Sequence, residues 1–323
     1  MLGDAIGATG GNVPASGTLR ATSAGQLACF TIDGMIRSHV RDSQGDYRYP
    51  RTIWHAYHRW AAGQGISGIK RWQEQDWPDG WLASVPVLKK RRGSAPATVA
   101  ALQKGVPGRL GAEVHTSIGA HALTRCLPVG LYNRRPWWEA ATAAASTHAA
   151  EATHAAALGA TIVARLSEGQ QLARAVDLAE RECAADPQLR QGVSVAAAMA
   201  AAGSHPRRTE VLTRLAPDAR ASSALAGGAY VAASFPGRED VKDALLFAAS
   251  VGDGGHVAAV TGAFLGASHG FDALPVDLIS RLELAWVADT LARDLLTELL
   301  DVPAGTGYTA ATDPHWGDRY PCW

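Results

Sequence analysis

The loop Gly252–His256, with the sequence Gly-Asp-Gly-Gly-His, leads into a run of small residues from 257 to 270. Glycines on either side of an acid let the backbone turn sharply and approach a ligand closely. The free N–H groups and positive dipole of the helix N-terminus that follows favour an anion. The alternative is a glycine-rich helix start at which Asp253 bonds its own backbone as an N-cap. The loop therefore indicates either an anion-binding turn or an ordinary helix cap.

A second glycine-containing approach to a helix ends at His121, with Gly119 and Ala120 directly before it. Two further histidines, His148 and His154, lie in the alanine-dominated segment 137–166. Alanine at this density predicts a helix that is buried on several sides. Each of these two histidines is then either a core residue with its hydrogen bonds satisfied or part of a pocket lining. A histidine in a pocket would supply an acid, a base or a cation near neutral pH.

Aromatic and cationic residues alternate between positions 54 and 81. Such residues could stack on bases or sugars, but they could equally pack between helices and loops. The basic run Lys89–Arg92 could likewise contact phosphate or form a solvated helix end. The residues that alternate are Trp54, His55, Tyr57, His58, Arg59, Trp60, Lys70, Arg71, Trp72, Trp77 and Trp81.

The C-terminal tail, residues 305–323, differs in composition from the rest of the chain. Asp313, His315 and Asp318 fall within six positions of it and could bind a metal. No regular element is predicted to hold them, so a frayed or docked surface tail is expected instead.

Composition excludes several classes of protein. The 30 Lys and Arg balance the 30 Asp and Glu, so no overall field favours nucleic acid or an anionic membrane. The four cysteines Cys29, Cys126, Cys183 and Cys322 lack CxxC spacing, which indicates reduced thiols and not a disulfide framework or a zinc site. The N-terminus lacks a signal-peptide pattern, and no apolar stretch reaches spanning length. We expect a cytoplasmic protein with no nucleic-acid or membrane partner; its oligomeric state is not indicated.

Hydrophobic periodicity predicts helices throughout and almost no strand, because no stretch sustains two-residue alternation. Small residues at Gly3, Gly7 and Ala8 predict a close helix crossing, with Asp4 as a cap or a buried polar anchor. A helix should begin at Thr22 or Ser23, the natural N-caps, and long helices are predicted over 137–166 and 276–300. One compact all-α domain is the economical interpretation.

Four segments, in this order along the chain, resemble the ADP-ribosylglycohydrolase family, which includes dinitrogen-reductase-activating glycohydrolases and ADP-ribosylarginine and ADP-ribosylserine hydrolases. The resemblance implies a single-domain orthogonal helical bundle over residues 1–304, with 305–323 as a tail, and a cleft for an ADP-ribose-like ligand. The segments are Gly3–Ala8, similar to the family's GDAxGA; Ser117–Leu131, similar to its glycine-rich segment, with Arg125, Pro128 and Gly130 matching; the Thr147-His148 pair; and Phe247–Gly270, similar to its closing Gly-Asp-x-Asp-[Ser/Thr] loop and helix.

The family's metal-binding positions are altered in this chain. In active members two magnesium ions are held by carboxylates of a Thr-Asp-Asp segment and of the Asp-x-Asp-[Ser/Thr] loop. Here the matching residues are Thr22-Ser23-Ala24 and Asp253-Gly254-Gly255-His256, so three of the four acids are absent. Hard cations need several oxygen ligands. We therefore expect no dinuclear magnesium site and no other cofactor.

Three hypotheses follow from the resemblance and its departures. The first is a protein that binds an ADP-ribose-like small molecule, or an ADP-ribosylated protein, without hydrolysing it. The second is a metal-independent enzyme in which His256, His121 and Asp253 act as acid, base and orienting group. The third is a scaffold that keeps only the helical body. The residues expected to line the ligand cleft are Asp4, Thr22, Ser23, Gly119, Ala120, His148, Gly254 and Gly255.

Overall fold

The computed structural model describes residues 1–43, 45, 49–71, 77–132, 135–189 and 192–321. Within these residues the regular structure is helical, and the only extended pairings are isolated bridges. The all-α prediction is confirmed. None of the described helices is both long and apolar enough to cross a bilayer. The helices are α1 (Leu2–Gly7), α2 (Ser23–Ser43), α3 (Tyr49–Gly63), α4 (Trp81–Ser84), α5 (Pro96–Gln103), α6 (His121–Cys126), α7 (Pro136–Ala145), α8 (Ala150–Ser167), α9 (Leu172–Ala185), α10 (Ala196–Ser204), α11 (Thr209–Leu215), α12 (Ala221–Ser234), α13 (Val241–Ala249), α14 (Gly254–His269), α15 (Val276–Ile279), α16 (Ala285–Asp301) and α17 (Trp316–Arg319).

The alanine-rich segment forms two helices, which corrects the single helix predicted over 137–166. α7 ends at Ala145, and α8 begins at Ala150 and is buried along most of its length. The chain turns between them because the hydroxyls of Ser146 and Thr147 bond back to carbonyl oxygens of α7. The Ala149 N–H donates to the Ser117 carbonyl oxygen. His148 therefore lies in a turn at the start of α8, beside the loop that precedes His121.

The helix predicted over 276–300 is also divided, into α15 and α16. The chain between them pairs with Leu19, whose N–H donates to the Arg281 carbonyl oxygen and whose own carbonyl accepts from Glu283 N–H. This pairing takes the backbone out of helical geometry, and no local pattern in the sequence marks it.

α1 crosses α14 at backbone distance, as the small residues predict. A β-carbon on Gly3 would lie 2.0 Å from the Ala258 carbonyl oxygen, and one on Gly7 would lie 2.4 Å from the α-carbon of Gly255. Only glycine permits so close an approach of two helices. The predicted crossing is confirmed, and it holds Asp4 of α1 close to the first turn of α14.

The aromatic run contributes mainly to the core. Trp54, Tyr57 and Trp60 on α3 are each no more than 3% exposed. The Trp60 indole N–H donates to Gln26 Oε1 of α2 at 3.2 Å. For these three residues the packing alternative is therefore the one that the structure supports, whereas Trp72 lies outside the described residues.

The basic run Lys89–Arg92 is partly committed to internal contacts. Arg92 makes a bidentate ion pair with Glu283, with distances of 3.0 and 2.7 Å. Arg91 Nε donates to the Gln64 carbonyl oxygen at 3.3 Å. Two of the four cations therefore join this segment to the rest of the protein.

The end of the described tail, Trp316 to Tyr320, is docked on α16, whereas most of residues 307–315 are exposed. Trp316 is 5% exposed and donates from its indole nitrogen to Glu298 Oε2 at 2.6 Å. The Tyr320 side chain is fully buried, and its hydroxyl donates to Asp294. Of the two alternatives for the tail, the contacts match the docked one. Cys322 and Trp323 lie outside the described residues.

A buried network of charges, which was not predicted from the sequence, joins α2, α3 and the loop before α4. Asp33 accepts from Arg37 Nε at 3.1 Å and from Arg59 at 2.6 Å. Arg37 also donates to Asp79 Oδ1 and to the Pro321 carbonyl oxygen, each at 3.1 Å. Burial and the nearby Arg37 lower the pKa of Arg59, while Asp33 and Asp79 oppose that shift. Asp33 and Asp79 thus pair with two buried guanidinium groups, and the bond from Arg37 to Pro321 ties the tail to the body.

Candidate functional site

Three long helices, α2, α8 and α14, begin at one end of the bundle, together with the short α6. Ser23 in the first turn of α2 lies 3.2 Å from His121 Nε2 at the start of α6. The His121 and His256 rings meet edge to face with centroids 4.7 Å apart, which brings in the first turn of α14. His148 precedes α8 and is close enough to His121 for the two to influence each other's charge. Residues that are far apart in sequence thus form one polar cluster.

His121 is held by hydrogen bonding through Ser23. Ser23 Oγ lies 3.2 Å from His121 Nε2 and 3.2 Å from the Ser94 carbonyl oxygen. A carbonyl oxygen can only accept, so the arrangement that satisfies both contacts has His121 Nε2–H donating to Ser23 and Ser23 donating to Ser94. Burial, then His256 and Arg125, lower the pKa of His121 to about 3. His121 is therefore neutral at physiological pH, with Nδ1 unprotonated.

His256 occupies the first turn of α14 with no hydrogen bond from its ring to any described residue. Burial lowers its pKa, and the carboxylates of Asp4 and then Asp253 oppose the shift. Asp253 is exposed at the N-cap position and makes no side-chain capping bond. The larger carboxylate influence on His256 thus comes from Asp4, which the sequence interpretation had placed in the ligand lining and not beside the imidazole.

Asp4 is a buried polar anchor. It is 4% exposed, and its two oxygens accept from the Thr22 hydroxyl at 2.5 Å and the Thr22 N–H at 2.7 Å. The Thr22 hydroxyl oxygen in turn accepts from the Ala24 N–H at 3.1 Å. Both carboxylate oxygens are therefore engaged in fixing the start of α2.

Arg125 is a fully buried cation behind the histidines. Its guanidinium donates to Thr98 Oγ1 at 2.8 Å and to Thr147 Oγ1, and it lies 4.2 Å from the centre of the Tyr57 ring. Thr147 Oγ1 is also 2.7 Å from His148 Nδ1, so His148, which is 1% exposed, is aligned through Arg125. Among the described residues no carboxylate pairs with Arg125. Its positive charge is not neutralised locally, and with burial it holds the pKa of His148 well below the usual range.

A family model described as ADP-ribosylglycohydrolase matches residues 1–304. This chain belongs to the ADP-ribosylglycohydrolase family. A solved structure described as an ADP-ribosylglycohydrolase-related protein complex is similar in fold, with a TM-score of 0.54 at 20% identity over 91% of this chain and 94% of that one. It is among 35 solved chains that match. No curated protein matches the sequence.

The glycine-containing loops of this member of the ADP-ribosylglycohydrolase family are largely occupied by internal contacts. The Gly119 N–H donates to Ser117 Oγ at 3.3 Å, and the Ala120 N–H donates to the Ala219 carbonyl oxygen at 3.0 Å. The Gly254 N–H donates to the Val251 carbonyl oxygen, and Gly255 faces Gly7 at the α1–α14 crossing. These four positions shape the polar end chiefly through their backbone turns and close packing.

The donors at the magnesium positions of the ADP-ribosylglycohydrolase family are few in this chain. Ser23 is bonded to His121, Ala24 and Gly255 offer no side-chain donor, and the Thr22 hydroxyl is bonded to Asp4. Asp253 is the one carboxylate at these positions. Within the described residues no three His, Cys, Asp or Glu side chains are grouped as metal ligands. In the tail, His315 and Asp318 lie 3.5 Å apart, each side chain is 85% exposed, and no third such side chain among the described residues joins them.

Proposed function

We propose that this ADP-ribosylglycohydrolase-like protein binds an ADP-ribose-like ligand at the polar end of the bundle, without a dinuclear magnesium site. The ligand is either the free small molecule or the ADP-ribosyl group of a modified protein. The observation that carries the proposal is Arg125, which is fully buried beside His148 and has no carboxylate partner among the described residues.

An unneutralised buried cation favours an anion nearby, because an isolated charge in a low-dielectric interior is costly. The N-termini of α2, α8 and α14 add positive dipole character at the same end. A pyrophosphate is an anion of suitable size for this surface. A ring N–H of neutral His148 can donate to its oxygens, and the unprotonated Nδ1 of His121 can accept from a ribose hydroxyl. The charge of the site therefore suits the phosphates of ADP-ribose.

The residues at the family's magnesium positions do not fit a pair of magnesium ions. Mg²⁺ requires near-octahedral oxygen ligation and is usually held through carboxylates. Asp253 is the one exposed carboxylate in the loop, and both oxygens of Asp4 already accept hydrogen bonds from Thr22. His121 and His256 take the remaining space as neutral imidazoles, which are poor ligands for so hard a cation.

Replacing His148 with alanine tests this proposal. Binding of ADP-ribose, measured by titration calorimetry in EDTA, should weaken about 10- to 100-fold, because a hydrogen bond to a charged group is worth about 1.5–3 kcal/mol. His154→Ala is the matched control, since His154 lies on α8 and its one hydrogen bond among the described residues is with the Gln188 carbonyl oxygen. His148→Gln, with a thermal melt, separates lost contacts from lost folding. Equal affinity of wild type and His148→Ala would contradict the proposal, and no binding by the wild type would favour the scaffold hypothesis.

A second candidate function is metal-independent cleavage of a ribosyl bond, with His256 and His121 as acid and base. The edge-to-face contact of these two rings and the hydrogen bond from His121 to Ser23 favour it. Asp253 and Asp4 are the carboxylates that act on His256 electrostatically.

Replacing His256 with alanine distinguishes the two candidates. If the protein is an enzyme, turnover of an ADP-ribosylated peptide should fall by about 100-fold or more while affinity changes little. His269→Ala at the other end of α14 is the control. The catalytic candidate would be rejected if the wild type released no ADP-ribose, or if His256→Ala released it as fast as the wild type.

A further inference from the structure

An apolar pocket of about 310 Å³ lies between α2, α14 and the chain that follows α6. Its walls are alkyl groups of small and branched residues, among them Ala28, Ile32, Leu127 and Ala263. Leu131, which is 48% exposed, also lines it and places an apolar side chain at the surface. We call this cavity the α2–α14 pocket.

The α2–α14 pocket continues inward from the polar end on the same helices. α2 carries Ser23 in the polar cluster and Ala28 in the pocket, and α14 carries His256 in the cluster and Ala259 and Ala263 in the pocket. These pocket residues follow the polar ones by one to two turns, so the pocket is displaced along the helices from the histidines.

Charge is nearly absent from the pocket walls. Asp4 is the one ionisable carboxylate that lines it, and both of its oxygens are already bonded to Thr22. Ala24 presents a methyl group to the pocket at a position where the family resemblance has a carboxylate. The Cys29 thiol in the wall is buried, which raises its pKa to about 12 and keeps it neutral. An anion entering this space would lose its hydration, and no Lys, Arg or His side chain of the described residues lines the pocket to replace it.

We propose that the α2–α14 pocket binds a small uncharged apolar molecule or group, such as an aromatic ring of one or two cycles or a branched alkyl chain. An apolar cavity of about 150 Å³ is enough to hold benzene, so this one has room for a bicyclic ring. Transfer of the ring from water onto alkyl walls is the driving force.

Titration of indole into methyl-labelled protein, followed by NMR, tests the proposal. Saturable shifts are expected at the pocket methyls of Ile32, Leu127 and Val163, and the neutral ring should bind at least about ten-fold more tightly than benzoate, whose charge must be desolvated. Absence of saturable shifts at these methyls, or equal binding of benzoate, would overturn the proposal.

Filling the pocket provides the matched variants. Ala263→Leu should weaken indole binding at least about ten-fold by occupying the volume, and Ala28→Leu from the opposite wall gives the same test if the first variant folds poorly. Ala292→Leu, on the exposed side of α16, should leave indole affinity unchanged. His148→Ala should also leave it unchanged, so failure of the ADP-ribose proposal and failure of this one are distinguishable. Unaltered indole affinity in both filled variants would overturn the assignment of the pocket.

Discussion

Replacing Asp33 with alanine should lower the free energy of unfolding by about 3–5 kcal/mol, the cost of leaving buried charges without their partner. Asp33 is fully buried and accepts hydrogen bonds from both Arg37 and Arg59. Without it, two buried guanidinium groups would share Asp79 alone, and Arg59 Nε is already 3.6 Å from that carboxylate. Denaturant unfolding of wild type and variant at neutral pH measures the difference.

The control for Asp33 is Asp289→Ala. Asp289 forms the same i,i+4 ion pair, with Arg293 at 2.9 Å, but 53% of its side chain is exposed. An exposed pair of this kind is screened by water and contributes little to stability, so this variant should unfold close to the wild type. A loss of less than about 1 kcal/mol in Asp33→Ala would mean that the buried network does not hold α2, α3 and the tail together as described.

Acidification should destabilise the protein in a pH range where carboxylates are still ionised. The folded protein holds the pKa of His121 at about 3 and that of His148 well below normal, both chiefly through burial. In the unfolded chain a histidine titrates near 6.5, so below that pH the unfolded state binds the proton more readily. Stability is therefore complete above about pH 6.5 and falls as the pH drops towards the folded pKa, by about 1.4 kcal/mol per pH unit for each such histidine.

Denaturant unfolding at pH values of about 6.5, 5.5 and 4.5 measures this loss, and for His121 alone the expected change over the range is about 2–3 kcal/mol. His121→Asn should reduce the slope, because the unfolded state then has one fewer proton to gain. His154→Asn, at a partly exposed position of α8, is the control for the effect of the substitution itself on stability. A stability that is flat between these pH values in the wild type would show that the histidines are not buried in neutral form.

Local sequence patterns were sufficient for the helical class and for the α1–α14 crossing. Gly3 and Gly7 are four residues apart and lie on one face of α1, where the absence of side chains lets another helix approach closely. The structure shows that close approach. The break near Leu282 was not predictable, because it depends on hydrogen bonds to Leu19, which is distant in sequence. The break near His148 combines local bonds from Ser146 and Thr147 with a bond from Ala149 to the distant Ser117. At each break, the backbone makes hydrogen bonds to another part of the protein in place of the hydrogen bonds of a continuous helix.

The buried charges and the partner of His256 were missed for a related reason. Asp33 and Arg37 have the spacing of an ordinary solvated ion pair, and only the packing of α3 against α2 removes them from water. Asp253 is three residues from His256 in sequence, yet Asp4, which is brought in by the helix crossing, has the larger electrostatic influence. The sequence suggests His121 and His256 as a candidate acid and base, but their direct ring contact required the fold.

The central claim is that the polar end accepts an ADP-ribose-like ligand through imidazoles, a buried arginine and helix N-termini, with no pair of magnesium ions. Calorimetric titration of ADP-ribose in EDTA and again in excess Mg²⁺ tests it most directly. The account predicts dissociation constants that agree within about two-fold, since the site lacks the oxygen ligands that Mg²⁺ requires. An affinity that appears only with Mg²⁺, or rises by about 100-fold when it is added, would contradict the account.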